Sequence, residues 1–279
     1  MLADYHVHTE YSDDSIYPLE QVVQDAIARG LDELCFTDHV DYGIKFDWDE
    51  VDPMPYRPSG EPYANVDYPR YVAEVARLRE RYAGQIALKC GLEFGVQTHT
   101  IPRYEALYQR LDLDFVILSI HQVEDQEFWD GAFQRGRTQR QYNERYYEEL
   151  LSVVRAYKNY SVLGHLDLIA RYDPAGPYPF ECVRPQVEEI LRQVIADGHG
   201  IELNTSWHRY GLSDTQPARA ILSLYRELGG RIITIGSDSH EPAHLGAYLG
   251  EAQGILRELG YTEFCTFDHM EPVFHPLAG

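Results

Sequence analysis

No uncharged apolar run in the 279-residue chain approaches the roughly 18 residues that a membrane-spanning helix needs. A helical membrane protein is excluded, and no membrane partner is expected. Cysteine is scarce, and Cys35, Cys90, Cys182 and Cys265 lie far apart with no CxxC pair. Neither a disulfide framework nor a thiolate zinc site is indicated, so any metal must be held by His, Asp and Glu. Basic residues are in deficit, with 24 Lys and Arg against 45 Asp and Glu and a formal net charge of −21. That is the wrong sign for a general surface that grips polyanionic nucleic acid, which is not expected as a partner. The N-terminus lacks an apolar signal segment, because Asp4, His6 and His8 interrupt it. A cytoplasmic location is the expectation.

Linker-like Gly/Ser-rich and low-complexity breaks are missing too, and what fills the chain is a repeated rhythm. Leu2 to Val7 reads as a strand, and Pro18 opens a helix whose Leu19, Val22, Val23, Ala26 and Ile27 share one face up to Gly30. Six further short apolar runs read as strands: residues 34–36, 86–88, 115–118, 161–163, 200–203 and 232–235. Helical patterns lie between them at 68–82, 103–110, 138–158, 185–197 and 217–228, with a last one at 244–259. Strand then helix, repeated seven times, implies parallel strands joined by crossover helices. One domain over residues 1–279 is expected. Two segments break the rhythm, 40–65 and 122–137, and long loops after strands are usually functional.

His6 and His8 alternate on the first strand, so their imidazoles project from one face while Val7 points the other way. Each of the next four strands, and the last, is followed by ligand-capable residues: Asp38-His39, Glu93, His121, His165, and Asp238 with His240. In a parallel barrel all strand C-termini meet at one face, where barrel enzymes keep their sites. Asp14, in the loop after the first strand, reaches the same face. Six histidines and three carboxylates exceed the four to six ligands of a single ion, which implies a site for two or three ions with bridging carboxylates. His99, His199, His208, His244, His269 and His275 show no such placement, with His208 held open.

These residues fall in motifs: Asp4-Tyr-His-Val-His-Thr9, Phe36-Thr-Asp-His39, Gly91-Leu-Glu93, Ser119-Ile-His121, Gly164-His-Leu-Asp167 and Gly236-Ser-Asp-Ser-His240. Their order and content resemble the PHP (polymerase and histidinol phosphatase) superfamily over nearly the whole chain. Asp13-Asp-Ser15, Leu168-Ile-Ala-Arg171, and Glu202 to Ser206 with Arg209 resemble its stand-alone histidinol-phosphatases. The resemblance implies a distorted, TIM-like (β/α)7 barrel carrying three divalent ions of Mn, Fe or Zn. It puts His6, His8, Glu93 and Asp238 around an innermost ion and lets Glu93 bridge to a second ion held by His121 and His165. Asp14, His39 and His240 then hold the third. Asp14 stands where many members have histidine, so that ion is expected to be oxygen-richer and more weakly bound.

Such a centre suits phosphomonoester hydrolysis by a metal-activated hydroxide, since divalent ions lower the pKa of bound water from 15.7 towards about 7. Three ions bring six positive charges, which locally outweigh a distant, screened negative surface. Arg171 and Arg209 fall on the same face and suit bidentate phosphate binding. The general acid is unassigned and no oligomeric state is indicated. The preferred reading is hydrolysis of L-histidinol phosphate in histidine biosynthesis. Hydrolysis of phosphotyrosine, a nucleotide or a sugar phosphate stands beside it, as does a non-catalytic, metal-stabilised binding module.

Overall fold

The computed structural model describes residues 1–57, 60 and 62–277. The chain opens with β1 (Ala3–Val7), α1 (Leu19–Ala28), β2 (Glu33–Phe36), the two-residue β3 (His39–Val40) and α2 (Tyr68–Arg81). Next come β4 (Ala87–Gly95), α3 (Ile101–Tyr108), β5 (Phe115–Ser119), the small antiparallel pair β6 (Gln122–Val123) and β7 (Gln126–Glu127), and α4 (Gln139–Ala156). The chain continues through β8 (Val162–Leu163), α5 (Phe180–Ala196), β9 (Gly200–Asn204), α6 (Arg219–Glu227), β10 (Ile233–Gly236) and α7 (Leu249–Glu258). A hairpin of β11 (Glu263–Asp268) and β12 (Glu271–Pro276) ends it.

Seven parallel strands run in the order β1-β2-β4-β5-β8-β9-β10, with β3 paired to the far end of β4. The circle is nearly closed. β1 meets the end of β10 where the His8 N–H donates to the Ser239 carbonyl (2.8 Å) and the Ser239 N–H to the His6 carbonyl (3.2 Å). Buried Asp4 strengthens this seam by accepting from the Ser237 N–H (2.8 Å) and hydroxyl (2.6 Å) and from the Gly246 N–H (2.9 Å). Strands covered by helices outside and side chains inside need apolar residues on both faces, and every residue of β1, β2, β5 and β9 is buried. The helices bury one stripe each, as Leu19, Val22, Val23 and Ala26 do in α1.

Several boundaries differ from the sequence expectation. β4 runs seven residues past Leu88 to Gly95, so Glu93 lies inside a strand. α5 starts at Phe180 with Pro185 inside it, whereas proline suggested a helix start. α7 starts at Leu249, because residues 242–244 form a separate 3₁₀ turn and Tyr248 adopts φ 61°. The terminal hairpin was not expected. It packs at the start of β5, where the Met270 N–H donates to the Asp114 carbonyl (2.9 Å) and Phe267 lies 5.0 Å from Phe115.

Candidate metal centre

Glu93 is fully buried, and its two carboxylate oxygens face different histidines. Oε2 lies 3.1 Å from His6 Nε2, 3.5 Å from His8 Nε2 and 3.1 Å from His39 Nδ1. Oε1 lies 2.9 Å from His165 Nε2 and 3.1 Å from His121 Nε2, and accepts from the Ser119 hydroxyl (2.7 Å). The elements responsible are β1, which presents His6 and His8 on one face, β3, which opens with His39, and β5 and β8, which end two residues before His121 and His165. Asp238, just past β10, turns Oδ1 towards His6 Nε2 (3.7 Å) and His8 Nε2 (3.6 Å). Asp14 Oδ2 lies 3.5 Å from His39 Nε2 and 3.3 Å from His240 Nε2.

All nine residues singled out from sequence therefore meet at the C-terminal end of the strands. Ligand atoms of His8, His39 and His240 lie within 4.8 Å of one another, as do those of His6, His8 and Glu93, and of Glu93, His121 and His165. The donor set fits metal ions on a direct observation: His6 Nε2, His8 Nε2, His39 Nδ1 and Glu93 Oε2 are buried and converge, yet have no hydrogen-bond partner. Buried polar atoms without partners are costly, and a cation satisfies all of them together. Burial alone would push Glu93 up, but His6, His121 and His39 hold its carboxyl well below the usual range. Burial also drives the His8 imidazole well below its usual value, helped by His240 and His39, which keeps it in the neutral form a metal needs.

Sequence reasoning missed a supporting layer. Asp41 accepts from His121 Nδ1 (2.7 Å), and Glu202 from His6 Nδ1 (2.6 Å) and the His165 N–H (2.9 Å). Such carboxylates fix the ring tautomer and orientation of metal-binding histidines. Asp41 had a signal, since it follows His39 at the same alternate spacing as His6 and His8. Asp38 is not part of the cluster: it accepts from the Thr9 N–H (2.7 Å) and the Ser12 hydroxyl (2.7 Å), tying the loop after β1 to the end of β2. His208 is outside as well, stacked on Tyr248 at 3.7 Å and 3.2 Å from Glu251.

Arg171 and Arg209 both reach Asp238, with Nη2 atoms 3.0 and 3.3 Å from its Oδ2. Arg171 is further held by Gln216 (2.8 Å) and Ser206 (2.6 Å) and lines a cavity of about 310 Å³ above Glu93. Arg209 donates to the carbonyls of Ser237 (2.8 Å) and Asp238 (2.6 Å). Tyr210 lies against both guanidinium groups, 4.3 and 5.1 Å from its ring centre.

Residues 4–206 match the family model described as PHP domain. The chain belongs to the PHP domain family. The chain is 31% identical over 277 residues to the histidinol-phosphatase of Lactococcus lactis subsp. lactis (strain IL1403), an alignment covering 96% of this chain and 95% of that protein. It is 26% identical to the histidinol-phosphatase of Bacillus subtilis (strain 168), over 89% of this chain and 97% of that one. Among solved structures, its fold matches histidinol phosphate phosphatase from Lactococcus lactis subsp. lactis Il1403 complexed with Zn, L-histidinol and phosphate. The TM-score is 0.83 at 30% identity, covering 98% of both chains.

Proposed function

We propose that the chain is a metal-dependent phosphomonoesterase that hydrolyses L-histidinol phosphate to L-histidinol and phosphate, as a step of histidine biosynthesis. One observation carries the reading: nine His, Asp and Glu side chains, buried or lining one cavity, stand together in a barrel that matches, end to end, a relative crystallised with Zn, L-histidinol and phosphate. Three ions of Mn, Fe or Zn are proposed, grouped as His6, His8, Glu93 and Asp238; Glu93, His121 and His165; and Asp14, His39 and His240. When bound, such ions supply a nucleophile from water near neutral pH and neutralise phosphoryl charge.

The chain's own groups do the rest. Glu202 and Asp41 orient His6 and His121, and Arg171 offers the substrate phosphate its Nη1, which carries no hydrogen bond among the described residues. Arg209 is proposed to serve the same phosphate while holding Asp238. The test is phosphate release from a panel of histidinol phosphate, phosphotyrosine and ribose 5-phosphate. Histidinol phosphate should give the highest kcat/KM, and a higher value for either competitor would overturn the substrate assignment.

A further inference from the structure

Lys45 has no part in the reading above, yet its ammonium is buried beside the metal centre, with its side chain 4% exposed. Nζ lies 2.5 Å from Asp13 Oδ1 and 2.7 Å from Asp41 Oδ2. An ammonium has three donors, so two acceptors leave one N–H without a partner among the described residues. Neither carboxylate depends on Lys45 for a partner. Asp13 also has Arg57 Nε at 3.2 Å, and Asp41 has His121 Nδ1 at 2.7 Å. A buried ammonium with an unused donor is costly unless something in the site accepts from it.

The cavity supplies that place. Lys45 and Arg171 both line the space above Glu93, and they enter it from separate walls: Lys45 follows β3, while Arg171 follows β8, two strands round the barrel from β3's partner β4. They answer to different anchors as well, Asp13 and Asp41 in one case and Asp238 in the other. A phosphomonoester dianion presents several acceptor oxygens with several lone pairs, so it can accept from Lys45 as well as from the arginines and the ions. Resting on the phosphomonoesterase reading, we propose that Lys45 is a substrate-binding residue whose remaining N–H donates to a phosphoryl oxygen from the side of the cavity away from Arg171. Asp13 and Asp41 hold the ammonium in place for that contact.

The test uses the metal-loaded enzyme, with inorganic phosphate as a competitive inhibitor of histidinol phosphate hydrolysis. A hydrogen bond to a charged group corresponds to roughly ten- to 150-fold in affinity. Lys45→Met should raise the phosphate Ki by about that factor while retaining its metal, and Lys45→Arg should recover part of the loss. A Ki within about twofold of wild type in a metal-replete Lys45→Met enzyme overturns the proposal. Should that variant fail to fold, a crystal structure of the wild type with phosphate decides. Nζ within about 3.2 Å of a phosphate oxygen supports the contact, and a separation above about 4 Å rejects it. Failure of the underlying reading looks different, because the wild type itself would then release no phosphate from any ester on the panel.

Discussion

Glu93 meets five imidazoles with two oxygens, and Oε1 and Oε2 serve different sets of them. A glutamine in its place keeps the shape but turns one oxygen into an N–H₂ donor and removes the charge with which one side chain would serve two cations. Glu93→Gln should therefore lose metal and cost orders of magnitude in turnover, checked by elemental analysis alongside kcat. The arginines separate at the same scale. From sequence alone, neither is a ligand, and both variants are expected to keep their metal while losing roughly ten- to 150-fold in kcat/KM. In the structure only Arg171 fits that description. Arg209 grips the carbonyls of Ser237 and Asp238, and Asp238 sits at φ 56°, a left-handed conformation that costs a non-glycine residue about 1–3 kcal/mol unless its surroundings hold it. Arg209→Ala should thus lower metal content as well as kcat/KM, whereas Arg171→Ala should lower kcat/KM alone. Equal metal retention in both variants would show that Asp238 needs no such support.

Among the secondary-structure elements, β4 decides how closely the site can assemble. Its last residue, Gly95, lies against the Asp41–His121 pair, and a Cβ there would fall 1.9 Å from Asp41 Oδ1 and 2.8 Å from His121 Nδ1. Gly95→Ala must push Asp41 away from His121, so activity should fall at least tenfold with reduced metal occupancy, in line with the loss usual when a supporting hydrogen bond to a metal ligand is removed. Activity and occupancy near wild type would mean that Asp41 is dispensable. The same strand shows what the sequence conceals. The seven-strand count, the face shared by His6 and His8 and the convergence of nine ligand-capable side chains were all legible, because alternation and strand-end placement leave local marks. The reach of β4 to Gly95 was not, since Gly91 and Gly95 break an apolar pattern for close approach and Glu93 breaks it to face the histidine cluster. Glu202 hid for a related reason: it supports His6 from a strand 196 residues away, and only folding brings the two together. The β11–β12 hairpin follows the last helix, where the strand–helix rhythm offers no further period to extend.

Across the whole molecule, the candidate metal centre is also the place where the barrel's circle closes. The seam between β1 and β10 runs through the backbone of His6 and His8 on one side and Ser239 on the other, immediately beside Asp238. Ions bound there would tie β1, β4, β5, β8 and the end of β10 to one point, so metal loss should loosen the fold as a whole. A ligand that binds only the folded state at a thousand times its Kd stabilises by about 4 kcal/mol. For a chain of this size each kcal/mol is worth roughly 2–4 °C in Tm, so stripping even one tightly bound ion should lower Tm by about 8–16 °C. Calorimetry before and after chelation measures this, and adding Mn or Zn back should restore the loss. The sign of the pH dependence follows from the donor set. Neutral imidazoles bind metal and protonated ones do not, and despite burial the neighbouring carboxylates hold His6, His39 and His121 above the usual imidazole range, so the gap between metal-loaded and chelated protein should be largest above that raised range and shrink as pH falls through it. A Tm gap under about 2 °C at neutral pH, or one that widens on acidification, would mean that the histidine cluster holds no ion that matters to the fold.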